Sequence, residues 1–228
     1  MTRIPALSLV ACAAALLTAC AAPGPSTRVA SKPDAALAAV LSGPQRSAEQ
    51  KERDGERHPG ASLAFWGLKP GASILEVSPG AGWWTQILAP YAARTGGRYA
   101  ATAADLTNPA TSAAARQGRE AFAKSFSDTA VYGRVDLVDW GPASPPLPEG
   151  RYDFILLSRV IHNWMRQDGV LDRNFAQLAR GLKRGGSLAV EQHRAPPGGG
   201  DPKGATGYVS EQTVIDAAAR AGLKLVAR

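Results

Sequence analysis

The spacing of apolar residues along this chain changes near position 70. Before it, apolar residues recur at helical intervals. Residues 34–41 (DAALAAVL) form an apolar helical stretch that Asp34 is placed to cap and Gly43-Pro44 to stop. Residues 47–54 (SAEQKERD) are charged and predict a second helix, broken by His58-Pro59-Gly60; residues 61–66 predict a short helix that packs Leu63, Phe65 and Trp66. From Gly71 onward, short apolar runs bounded by Gly and Pro alternate with amphipathic stretches. Runs at 73–77 (SILEV), 99–103, 131–138, 152–157 (YDFILL), 187–191 and 223–226 predict strands. Helices are predicted at 83–94, closed by Gly96-Gly97, at 111–126, at 171–182, closed by Gly185-Gly186, and at 211–221. Strands this apolar are covered on both faces, and strands separated by helices pair in parallel through right-handed crossovers. The pattern predicts an α/β fold: a Rossmann-like, doubly wound, mostly parallel sheet with helices on both faces.

Composition alters this picture little. A length of 228 residues, 45% hydrophobic and 20% charged, fits one globular domain with a substantial core. The formal net charge of +7 makes the surface basic. Lys and Arg are nevertheless scattered, without a long run and without interleaved aromatics, so no nucleic-acid partner is expected. His58, His162 and His193 are dispersed and no cysteine follows position 20, so no metal site is expected.

The amino terminus stands apart. Arg3 supplies a short positive start, and residues 4–19 form an uncharged Ala/Leu-rich stretch, too short for a membrane span and read as a secretory signal. It ends in Leu17-Thr18-Ala19-Cys20, which resembles the lipobox of bacterial lipoproteins. That resemblance implies a signal peptide over residues 1–20, lipid modification of Cys20 and anchoring to the cell envelope on its periplasmic face. A misassigned start codon would instead leave the protein cytoplasmic. Residues 21–33 then read as a flexible tether, 34–70 as a helical lead-in and 71–228 as the core. Both cysteines, Cys12 and Cys20, fall in the export segment, which excludes a disulfide or a cysteine nucleophile in the rest of the chain.

The chemistry concentrates in Glu76-Val77-Ser78-Pro79-Gly80-Ala81-Gly82, between a strand and a helix. Gly80 and Gly82 let the backbone approach a ligand, the following helix start offers unpaired N–H groups, and Glu76 can order the loop or meet a cation. The run ILEVSPGAGWWTQILAPY resembles motif I, (D/E)xGxGxG, of class I S-adenosyl-L-methionine (SAM) dependent methyltransferases. It is most similar to a bacterial group of predicted methyltransferases with a PGxGW loop. Arg53-Asp54 and Arg57-His58-Pro59 resemble that group's lead-in, YDFILLSRVIHNW its fourth strand and loop, and LKRGGSLAVEQHR its fifth. Ser78 departs from the first motif glycine.

The resemblance implies SAM as cofactor and a small-molecule methyl acceptor. It places the cofactor on Glu76, Ser78, Pro79, Gly80 and Gly82. Asp105 is the nearest candidate for the acid that holds the ribose, Asp139 matches the adenine-side acid, and Ser158 completes the cofactor side. Of Trp83 and Trp84, one packs as core and the other covers the ligand loop; Trp84 is assigned to the cofactor. Arg159 and His162, after the fourth strand, are assigned to the substrate side, with His162 as a general base. Such domains close with a seventh, antiparallel strand, and the chain ends after the sixth predicted one, so the last strand is expected to be missing.

Two other functions fit less of the sequence. A non-catalytic, lipid-anchored domain could keep the fold for ligand or partner binding, an option raised by the cytosolic origin of SAM. An NAD(P)-dependent oxidoreductase would want a G-x-G-x-x-G loop, which Trp83 and Trp84 interrupt. Ser78 and Ser158 lack the G-x-S-x-G setting of a hydrolase nucleophile.

Overall fold

The computed structural model describes residues 32–228. The expectations for the export segment, Cys12, Cys20 and nearly all of the tether lie outside the described residues. Four short helices come first: α1 (Ala35–Ser42), α2 (Ala48–Glu52), α3 (Asp54–Arg57) and α4 (Pro59–Phe65). Asp34 caps α1 as expected, accepting from the Leu37 N–H at 2.9 Å, and its other carboxylate oxygen accepts from the Tyr91 hydroxyl at 2.7 Å. Ser47 and Gln50 close a reciprocal capping box on α2. His58 takes a left-handed backbone (φ 45°) and Pro59 occupies the first turn of α4, so this triplet redirects the chain from one helix straight into the next.

One ion pair, between a buried arginine and a partly exposed aspartate, holds this lead-in together. The Arg46 side chain is fully buried, and its guanidinium makes a two-pronged contact to Asp54 at 2.7 and 2.5 Å. It also donates to the carbonyls of Leu41 and Gln50. Trp83 lies alongside, donating to the Gln50 carbonyl at 3.2 Å, with the Arg46 guanidinium 5.5 Å from its ring. The lead-in is thereby fastened to the segment that opens α5.

The core is one all-parallel sheet of β1 (Ser73–Val77), β2 (Arg98–Ala104), β3 (Val135–Trp140), β4 (Tyr152–Ser158) and β5 (Leu182–Glu191), in the order β3-β2-β1-β4-β5. Alternate residues feed opposite faces. Ile74, Phe154 and Leu156 pack with Leu37, Leu63, Ile87, Leu88 and Tyr91 from α1, α4 and α5 (Thr85–Arg94). Leu75, Val77, Ile155 and Leu157 pack with Phe175 and Leu178 of α9 (Val170–Gly181) and Ala217 of α10 (Glu211–Arg220). The remaining helices are α6 (Ala113–Ser125), α7 (Thr129–Tyr132) and α8 (Ile161–Trp164). The doubly wound architecture is the one the hydrophobic pattern predicts.

Pro90 stands inside α5, where it has no N–H for the Gln86 carbonyl four residues back. The Gln45 side chain of the lead-in reaches that carbonyl instead, at 3.4 Å, while donating to the Val40 carbonyl at 2.8 Å.

Three expectations need correction. The strand expected at 131–138 is divided: Asp128 accepts from the Ala130 N–H and starts α7, Gly133 ends it, and β3 begins only at Val135. The Gly185-Gly186 pair does not close α9, which ends at Gly181; it lies inside β5, which shifts register against β4 between Tyr152 and Phe154. Residues 223–226 join no strand. Leu223 donates to the Ala218 carbonyl and Arg228 to Glu211 at 2.9 Å, which folds this segment back along α10 and leaves Leu225 and Val226 exposed.

Replacing Asp54 by Ala strands the buried Arg46 charge and is expected to cost about 3 kcal/mol in urea unfolding. The double change Arg46→Met/Asp54→Leu, which removes both charges, is expected to cost less. A loss below about 1 kcal/mol for Asp54→Ala would contradict this assignment.

Candidate functional site

The carboxyl edge of the sheet carries the glycine loop. Glu76, one residue from the end of β1, points into the α5 face and is almost wholly buried (2% exposed). Its Oε2 accepts from the Tyr99 hydroxyl at 2.6 Å and the Thr85 hydroxyl at 2.9 Å, so one oxygen ties β1 to β2 and to the first turn of α5. Burial pushes its carboxyl up to about 7, against the two hydroxyl donors, which favour the charged form. The same burial and the adjacent carboxylate push the Tyr99 hydroxyl well up.

Beyond Val77 the chain turns sharply. Ser78 adopts a left-handed backbone (φ 54°) with its N–H on the Thr102 hydroxyl of β2 at 2.8 Å. The glycine missing from the first motif position is therefore one whose conformation the serine still adopts, at a cost in strain. The two glycines retained have different reasons. At Gly82 a Cβ would stand 2.3 Å from the Phe126 ring, so packing excludes one. At Gly80 (φ 59°) a Cβ would meet no protein atom and would project into the open space above the loop. Ser78, Gly80 and Ala81 are exposed, and among the described residues no partner is recorded for the Gly80 and Ala81 N–H groups.

The other predicted residues fall around this edge, several of them already engaged. Asp105 follows β2 directly. The Thr107 hydroxyl and the Ser144 hydroxyl both donate to it, as does the Thr107 N–H, and these bonds hold its carboxyl below the usual range. Asp139 is inside β3, not beyond it, and is ion-paired with Arg119 of α6. Ser158 ends β4 and donates to Glu191 Oε2 at 2.7 Å. Trp84 is 2% exposed and donates its indole N–H to the same Glu191 oxygen at 2.9 Å. Both Trp83 and Trp84 are thus core residues, stacked edge-to-face at 4.8 Å. Pro79 is half-buried within the loop.

Arg159 is exposed, sits in the second strained non-glycine backbone of this edge (φ 52°), and donates its N–H to the Glu191 carbonyl at 2.8 Å. His162 lies in α8, half-buried, with Nδ1 3.4 Å from the Gln192 side-chain nitrogen. That nitrogen also donates to the Gly207 carbonyl at 2.8 Å, which fixes the amide's orientation. A cavity of about 440 Å³ lined by Ala92, Gly97, Arg98 and Arg134 lies at the opposite, amino edge of the sheet, away from these residues.

The comparisons with known proteins bear on this edge. A family model described as a methyltransferase domain matches residues 75–190, just over half of the 228 residues. The chain belongs to this methyltransferase-domain family. Among solved structures it is similar to a SAM-dependent methyltransferase from Aquifex aeolicus, at 20% identity and a TM-score of 0.53, over 82% of this chain and 87% of that one. It is also similar to the [4+2]-cyclase SpnF, at 20% identity and a TM-score of 0.54, over 79% of this chain and 60% of the cyclase. No curated protein sequence matches it. The protein is a methyltransferase, and SAM is the cofactor that membership of the family implies. The loop fits that group: Gly80 leaves space a side chain would fill, and the free N–H groups beside it suit the polar end of a bound amino-acid moiety.

The motif marks the loop but not four residues that build its surroundings. Glu191 gathers Ser158, Trp84 and the Arg159 backbone; its place at the end of the fifth strand is the only signal for it. Tyr99 and Thr85, which occupy Glu76, are unremarkable in sequence. Arg57 stacks on Trp83, its guanidinium 4.4 Å from the ring, and was legible only as part of the lead-in segment.

A pH prediction follows from Glu76. Its folded-state pKa is raised from 4.5 to about 7, so its contribution to stability is fully present below about pH 4.5 and is lost as pH rises through about 7. A shift of that size corresponds to about 3 kcal/mol. Glu76→Gln, which keeps an acceptor for Tyr99 and Thr85 without the charge, is expected to remove this slope in denaturation curves taken between those pH values. An unchanged slope would refute the assignment.

Proposed function

We propose that this methyltransferase binds SAM on the loop of residues 76–82 and methylates a small-molecule acceptor held between the lead-in and the ends of β4 and β5. The observation that carries this reading is the Gly80 position, where left-handed backbone, free N–H groups and open space coincide at the carboxyl edge of a parallel sheet. Bound SAM supplies an activated methyl group, and its displacement needs the two reactants aligned and water excluded more than it needs an acid or base.

The chain's own residues then divide the work. Gly80 and Gly82 shape the cradle, with Ser78 and Pro79 as its rim. Asp105, held ionised by Thr107 and Ser144, closes the β2 side. Asp139 and Ser158 act through their partners, Arg119 and Glu191, and Trp84 through its bond to Glu191. Because the Gln192 amide faces Nδ1 with its nitrogen, the neutral His162 ring carries its proton on Nε2 and presents a donor there. Arg159 and His162 thus offer hydrogen bonds to an acceptor, and Nε2 acts as a base only in the other neutral tautomer, with the ring proton on Nδ1.

We also propose the domain division read from the sequence: a signal peptide over residues 1–20, a tether over 21–33 and a methyltransferase domain over 34–228, lipid-anchored through Cys20 at the periplasmic face. Among the described residues no helix is long and apolar enough to cross a membrane, so anchoring in this reading rests on Cys20.

Calorimetric titration of the full chain with SAM and S-adenosylhomocysteine is expected to give saturable binding. Gly80→Val is expected to weaken it by tenfold or more, about 1.4 kcal/mol. No binding below about millimolar would sink the cofactor site. Metabolic labelling with a radiolabelled fatty acid is expected to mark the wild-type chain and not Cys20→Ser; label persisting on the variant would overturn the anchoring.

A further inference from the structure

The carboxyl ends of three strands stand in a row at this edge. Val77 of β1 pairs with Leu157 of β4, and Ser158 of β4 pairs with Glu191 of β5. Adjacent strands are about 4.8 Å apart, so Arg159 emerges one strand away from the glycine loop. Glu191 emerges one strand further on. The lead-in contributes Arg57, whose guanidinium lies over the Trp83 ring, 4.4 Å from its centroid. Trp83 packs on Trp84, Trp84 bonds Glu191, and Glu191 accepts the Arg159 N–H. This chain of contacts links the Arg57 guanidinium to the Arg159 backbone beside the cofactor loop.

Neither arginine makes an ion pair within 4.0 Å among the described residues. Glu191 is the acid of this edge; its charge offsets part of the repulsion on Arg57, but it makes no ion pair with either arginine. Its Oε2 is taken by Ser158 and Trp84, and no ion pair within 4.0 Å joins it to Arg57 or Arg159. Arg57 is half-buried and Arg159 exposed, so one cation is held rigidly on an indole while the other faces solvent. A third indole, the half-buried Trp66, lies 5.5 Å from Trp84 and gives the same region a flat apolar wall.

We infer that Arg57 and Arg159 form an oxyanion subsite, and that the methyl acceptor carries a carboxylate or phosphate group which these two guanidinium groups hold. The inference rests on the proposed cofactor loop, because the subsite places its ligand beside that loop. Two unpaired guanidinium groups at one site oppose each other. Burial, and after it the Arg159 charge, holds Arg57 below the usual arginine range. An oxyanion between them relieves that repulsion and gains charge-assisted, two-pronged hydrogen bonds. A neutral acceptor does neither.

The test is calorimetric titration of the full chain, saturated with S-adenosylhomocysteine, using inorganic phosphate in one arm and benzoate in the other. Chloride holds ionic strength constant. Saturable binding is expected in at least one arm, and which arm responds separates a phosphate from a carboxylate acceptor. Arg57→Gln and Arg159→Gln are each expected to weaken that binding at least tenfold while changing the S-adenosylhomocysteine affinity less than threefold. Arg57→Lys, which keeps the charge, is expected to recover part of the loss, and Arg159→Gln alters an exposed side chain should the Arg57 variants fail to fold. Binding absent in both arms, or equally tight in the variants, overturns the subsite. Failure of S-adenosylhomocysteine itself to bind the wild type instead overturns the cofactor reading, so the two failures are distinguishable.

Discussion

A carboxyl group without access to water anchors the working end of this molecule. Through a single oxygen, Glu76 fixes the last turn of β1, the Tyr99 hydroxyl of β2 and the Thr85 hydroxyl of α5. The loop between β1 and α5 therefore has both of its ends set before any ligand arrives. The Ser78 N–H on Thr102 also ties its first residue to β2. Burying such a group is costly unless its hydrogen bonds are met, and here both donors sit in the adjoining elements. The loop's shape is thus a property of the core, and the exposed Gly80 turn inherits its rigidity from buried residues.

This explains how much of the fold and site was readable. Two-sided burial writes itself into near-continuous apolar runs, so the sheet, its parallel pairing and the loop at its carboxyl edge were legible from residues such as those of SILEV and YDFILL. The errors arose where local chemistry overrode the pattern. Asp128 started a helix turn inside an apolar run, and a glycine pair that looks like a helix stop became a bulge within β5. Residues 223–226 are apolar enough for a strand but were drawn to α10 by Leu223 and Arg228. In the site, side-chain pairing was the hidden variable. Nothing in the sequence distinguishes a carboxylate facing a ligand from one committed to Tyr99, to Arg119 or to Ser158 and Trp84.

The site is also assembled from distant parts. The lead-in contributes Arg57, the strand ends contribute Ser78, Arg159 and Glu191, and the loop after β5 touches His162 through Gln192. Among the described residues, the three non-glycine residues with left-handed backbones, His58, Ser78 and Arg159, stand at the last residue before α4, the start of the glycine loop and just past the end of β4. Strain of this kind persists only where surrounding structure over-determines it. Here the Arg46–Asp54 pair, the Thr102 hydroxyl and the Glu191 carbonyl supply that constraint.

The three neighbouring indoles have a consequence of a different order. Trp66, Trp84 and Trp83 lie within 4.8 to 5.5 Å of one another in sequence of contact, and a cation covers the outer face of the last. Transition dipoles this close couple, which adds to the near-ultraviolet circular dichroism a contribution set by the angles between the rings. Any event that shifts Arg57 or tilts Trp66 rewrites that spectrum. The protein carries its own optical gauge of the junction between lead-in and sheet, with no label to be added.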